Sequence, residues 1–212
     1  MKSFLPLYLT LFSFFQIGFA QSPENKQEIK YFDPNYDPLT KEEFQYLLYN
    51  YPFLDVVGDS SHHMILVERK EGGIIKNMTL FDRILEEAVG QQFDASLPVV
   101  AIFYPGKDPC NSSGRATNRT MKKWYNEMER LIQKVHKANV IYVYADDKGL
   151  ARRTGDRNWI EDPENLFRSS FFQRHYPCSS YVIITEEGQY SAYFGEFSKE
   201  GLVATFQELL KN

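Results

Sequence analysis

An α/β fold, with a central mixed β-sheet covered by helices on both faces, is predicted by three features of the 212-residue sequence. Strand and helix patterns alternate from Ile74 onward. The run Val99-Val100-Ala101-Ile102-Phe103 shows no polar alternation, as expected of a strand buried on both faces. The chain then closes with a strand hairpin followed by a helix, which suits layers packed around one sheet.

Taken in order, residues 1–20 have one charge, Lys2, an apolar run from Phe4, and small residues before Gln21, which predicts a cleavable secretory signal. The apolar run is shorter than the roughly 20 residues of a membrane span. Residues 21–39 are polar and interrupted by Pro23, Pro34 and Pro38, predicting an extended or mobile lead-in. Residues 40–212 make the domain, with a helix and strand extension over 40–73 and a core over 74–212. Thr40 and Glu43 have capping-box spacing, and Phe44, Leu47 and Leu48 follow at helical intervals. His63 to Glu68 read as a strand, closed by a turn at Glu71-Gly72-Gly73.

Within the core, a helix is expected over 79–89, a strand over 98–104, a long helix over 117–137 and a buried strand over 139–145. The stretch 146–176 is charged and irregular, with a helix expected near 164–173. A hairpin over 181–185 and 189–194 turns at Glu186-Glu187-Gly188, and Ser198 caps the last helix.

The formal net charge of −4 argues against nucleic acid as a partner. An exported destination, periplasmic or extracellular, is oxidising, so the even cysteine count, Cys110 and Cys178, argues for one disulfide. Sequons at Asn77, Asn111 and Asn118 matter only in a eukaryotic secretory pathway. His62-His63 lack metal-ligand spacing, the acidic residues Asp146, Asp147, Asp156, Glu161 and Asp162 lack that of a calcium loop, and Trp124 and Trp159 read as packing aromatics. No metal or cofactor is expected.

The segment from Val182 through Glu186-Glu187-Gly188, Phe194-Gly195 and Ser198-Lys199 resembles the end of a thioredoxin-like domain, and the likeness extends over 74–212. It implies a three-layer sandwich. It also places Lys107-Asp108-Pro109-Cys110 at the redox loop, with Lys107 where the first cysteine of a CxxC would stand. The Phe103-Tyr104-Pro105 run is similar to the opening of a peroxiredoxin loop, but that family has threonine where Lys107 stands. Pro177 is the candidate for the fold's cis-proline, although it lies two or three positions early.

That resemblance brings the loops of Cys110 and Cys178 together, implying a bridge between them. As a staple, it would leave an accessory or binding module acting on a protein partner or small ligand. Alternatively, Cys110 is a nucleophile resolved by Cys178, with Lys107 or Arg115 favouring its thiolate, in a thiol-disulfide oxidoreductase or peroxidase. A third expectation is a small-ligand site between the Cys110 loop and residues 150–176.

Overall fold

Thr40 starts the first helix as its spacing to Glu43 requires: its hydroxyl accepts the Glu43 N–H, and the Glu43 carboxylate accepts the Thr40 N–H. The protein is described here from a computed structural model covering residues 28–90, 93–112, 114 and 116–211. The expected signal at 1–20, residues 21–27 of the lead-in, and Arg115 lie outside the described residues.

The first sheet is small and mixed. Its strands β1 (Lys30–Phe32), β2 (Pro38–Leu39), β3 (Phe53–Val57) and β4 (His63–Glu68) lie in the order β2-β1-β4-β3, with helix α1 (Lys41–Asn50) between β2 and β3. The described part of the lead-in is therefore ordered, because Lys30, Tyr31 and Phe32 pair in parallel with His63, Met64 and Ile65. The strand β3 had no counterpart among the sequence expectations. It alternates Leu54 and Val56 inward, and only the partner strand β4 makes that two-residue inward set a sheet face.

The second sheet has six strands in the order β5-β10-β9-β6-β7-β8, formed by β5 (Lys70–Ile74), β6 (Val99–Tyr104), β7 (Asn139–Tyr144), β8 (Trp159–Glu161), β9 (Ser180–Ile184) and β10 (Gln189–Tyr193). Strands β6, β7 and β8 run parallel, whereas β9, β10 and β5 add antiparallel neighbours. The expected turn at Glu71-Gly72-Gly73 is instead the middle of β5. Gly72 and Gly73 pair with Ser191 and Tyr190, and the sheet edge accepts them because Tyr190 lies over Gly73.

Side chains of the central strands divide by parity between two cores. Val99, Ala101, Phe103, Val143, Val182 and Ile184 face one core, with Phe81 and Leu85 of α2 (Met78–Val89), Phe167 of α5 (Leu166–Ser170), and Leu54, Val56 and Ile65 of the small sheet. Val100, Ile102, Tyr142, Tyr181 and Ile183 face the other, with Tyr125, Met128 and Ile132 of α4 (Asn118–Val135) and Leu202 and Phe206 of α6 (Lys199–Leu209). The unbroken apolar run of β6 is thus explained by two covered faces, and the α/β class stands.

Between β7 and β9 the chain forms 3-10 turns at Leu150–Arg152 and Pro163–Asn165, with β8 and α5 beside them. Asp162 is buried rather than solvated. Its carboxylate accepts the Phe167 and Arg168 N–H groups, capping α5 where Asn165, in a left-handed conformation, provides no side-chain cap. Trp159 packs on Tyr142 at 5.2 Å between ring centres, as expected of a structural aromatic. No helix among the described residues is long and apolar enough to cross a membrane.

Candidate functional site

Strand β6 ends at Tyr104, and the loop after it leads into a single helical turn, α3 (Pro109–Ser112), that carries Cys110. Cys178 lies just before β9, the antiparallel neighbour of β6. Two strands adjacent in the sheet though not in sequence thus deliver both cysteines to one end of it, where they are bonded across 68 positions with a Cα–Cα distance of 5.2 Å. Both are half-buried.

A buried polar pair underlies this bridge. Asp108 and Asn111 are 8% and 5% exposed and are joined by a reciprocal pair of bonds: Asp108 Oδ1 accepts the Asn111 N–H at 2.7 Å, and Asn111 Oδ1 accepts the Asp108 N–H at 3.0 Å. The Asn111 amide also donates to the Gly106 carbonyl at 2.7 Å, to Asp108 Oδ2 at 2.8 Å and to the Cys178 carbonyl at 3.3 Å. Asp108 Oδ2 accepts the Cys178 N–H at 2.9 Å, and the exposed His175 ring stands 3.4 Å from the same oxygen. Buried polar groups cost least when every partner is present, and this pair meets that condition.

Cys178 has a φ of +71°, a left-handed conformation that side chains rarely adopt. The N–H bond to Asp108 and the bridge to Cys110 fix it there from two directions. No cis peptide bond occurs among the described residues, so the bond before Pro177 is trans and Pro177 does not supply the expected cis-proline. The positive-φ residue before β9 is Cys178 itself.

The Glu196 carboxylate lies with the two sulfurs in a group whose potential ligand atoms are within 4.8 Å of one another. While bonded to each other the sulfurs provide no thiolate, so this trio is not a metal centre in the oxidised protein.

Two recesses flank the bridge. The first, about 310 Å³, is lined by Lys107, Asn111, Ser112, Gly114, Ala116, Gly149, Arg152 and Arg153. Its floor near Gly149 needs glycine, because φ is +82° and a Cβ would lie 3.0 Å from the Tyr104 hydroxyl. That hydroxyl donates to the Lys148 carbonyl, and burial raises its pKa. The second recess, about 300 Å³, is lined by Met121, Trp124, Tyr125, Cys178, Glu196 and Phe197 among others, with Arg153 common to both.

Of the residues singled out in the sequence, Lys107, Asp108, Pro109, Cys110 and Cys178 come together, and Lys107 is exposed at the loop. Arg152, Arg153 and His175 fall in the stretch 150–176 expected to border a ligand site, without being singled out there, whereas the roles of Asn111 and Glu196 have no counterpart in the sequence reading. Asn111 opens a sequon, yet its amide is buried and fully engaged, which removes it as a glycan acceptor in the folded chain. The pair Arg152-Arg153, beginning three residues after Gly149, is the available sequence signal for the first recess.

The chain matches no protein-family model and no curated protein by sequence. The properties of the site itself carry the functional reading.

Proposed function

We propose that this is an exported, thioredoxin-like binding or accessory module in which dithiol chemistry has been lost and the Cys110–Cys178 bridge is a structural staple. The observation that carries the proposal is the pairing of Cys110 with a cysteine 68 positions away while Lys107 stands three residues before it. A CxxC cycles between dithiol and disulfide within one helical turn, so redox change leaves the surrounding loops in place. Here the bond ties two separate loops. Opening it would release the constraint holding Cys178 at positive φ and disturb the buried Asp108–Asn111 pair. Further support for the thioredoxin-like frame comes from β6 lying at the centre of its sheet, from the β9–β10 hairpin, and from the Ser198-capped α6 behind it.

Half-burial of both cysteines, rather than full burial, favours one competing reading, a thiol oxidoreductase or peroxidase with Cys110 as nucleophile and Cys178 as resolving thiol. The reduction potential of the bridge separates the two. A value below about −300 mV with slow exchange against a model dithiol is expected for the staple. A markedly more oxidising potential, or peroxide consumption lost on Cys110→Ser, would overturn it.

A further inference from the structure

The first recess beside the bridge concentrates positive charge in a chain that is negative overall. Lys107, Arg152 and Arg153 line it, against a formal net charge of −4 for the whole sequence. Among the described residues none of these three cations forms an ion pair, whereas Arg157 and Lys199 are paired with Glu129 and Glu127. The neighbouring carboxylates are committed elsewhere. Asp108 is directed at the Cys178 N–H and the Asn111 amide, and Asp146 accepts both the N–H and the ammonium of Lys148. Three like charges held around one cavity repel one another, and among the described residues no carboxylate lines the recess itself to oppose them. A bound anion would.

We infer that this recess binds a small phosphate-bearing ligand, gripped by Lys107, Arg152 and Arg153. The inference rests on the binding-module reading and names its ligand class. Two guanidinium groups offer planar paired donors that match the oxygens of a phosphate, and the lysine adds a point charge from the opposite loop. At about 310 Å³ the recess is at the lower end of small-molecule sites, large enough for a phosphate with a modest substituent. Its lining is mostly polar, which disfavours an uncharged apolar ligand. The residue that replaces a redox cysteine, Lys107, thereby acquires a role: it gives one wall of an anion site to the edge that the thioredoxin-like frame leaves open. The disulfide holds that wall in register with Arg152 and Arg153 through Asn111, which lines the recess and bonds the Cys178 carbonyl.

The test is titration calorimetry of the oxidised protein with inorganic phosphate and pyrophosphate at low ionic strength, alongside sedimentation with phosphatidylcholine vesicles with and without phosphatidic acid. One-to-one binding of a soluble probe is expected, weakened at least about tenfold in Lys107→Gln and in Arg152→Gln, the loss of a charge-assisted contact. The surface variant Lys134→Gln should bind like the parent. Association with phosphatidic acid vesicles alone, abolished by Lys107→Gln, supports the same site and assigns the phosphate to a lipid headgroup. Absence of binding in both arms, or equal affinity in the three variants, overturns the inference. Thiol titration of each variant confirms an intact bridge. Failure to bind with an inert disulfide overturns this inference alone, whereas rapid dithiol exchange overturns the binding-module reading.

Discussion

At the residue scale, the Asp108–Asn111 pair is the part of the site with the largest stake in stability. Asn111→Ala would leave the Gly106 and Cys178 carbonyls and the Asp108 carboxylate short of a donor inside the protein. A loss of about 2–3 kcal/mol is expected in urea unfolding, and a change within error would show that water replaces the amide. Tyrosines dominate the alkaline behaviour. Burial pushes the Tyr181 hydroxyl up to about 12, Tyr193 adding to the effect and the bond to Thr205 opposing it. Burial raises Tyr125 and Tyr142 as well, and for Tyr142 the Glu129 carboxylate contributes. An unfolded tyrosine titrates near about 10, so above that pH the unfolded chain sheds protons that the folded chain keeps. Stability from these groups is therefore complete below about pH 10 and falls as pH rises toward 12. Tyr181→Phe should make that fall shallower in unfolding free energy measured against pH; an unchanged slope would remove Tyr181 as a contributor. Neither effect was legible in the sequence, where Asn111 looked like a surface sequon and Tyr181 like any strand tyrosine.

Single elements were read well wherever one local signal sufficed. The Thr40 and Ser198 caps, strand β4, the β9–β10 hairpin and helix α4 were all visible, because a cap or a regular period is a property of neighbouring residues. Strand β5 was misread as a turn because Gly72-Gly73 is, locally, turn chemistry; only the pairing with β10 and the cover of Tyr190 make it a strand. A Cβ on Gly73 would lie 2.9 Å from the Tyr190 ring, which also packs on Phe171 at 5.0 Å and bonds Glu71. Gly73→Val should cost about 1–3 kcal/mol by overpacking despite valine's preference for strands, as read by thermal unfolding. A stabilised variant would mean that the ring moves freely. Strands β3 and β8 were missed for a related reason. They are short, five and three residues, and each becomes a strand only by pairing with the strand next to it in the chain, β4 for β3 and β7 for β8.

For the whole molecule, the bridge closes a separation of 68 residues between loops at the same end of the sheet. Cys110→Ala with Cys178→Ala should destabilise the fold by about 4 kcal/mol on a chain-entropy basis, measured by urea unfolding against the oxidised parent. A loss well below that would mean that the Asp108–Asn111 pair and the two cores already confine the loops. Alternation of strands and helices, the unbroken apolar run at Val99 to Phe103 and the even cysteine count were enough, by themselves, to determine an α/β class with one disulfide. These are consequences of local periodicity and of composition. Tertiary structure alone decided that a second sheet covers one core, that Cys178 takes a left-handed conformation above a buried aspartate, and that Lys107 meets Arg152 and Arg153 around one recess. Each of these depends on groups distant in sequence being brought within a few ångströms, where burial and charge act through distance in space rather than along the chain.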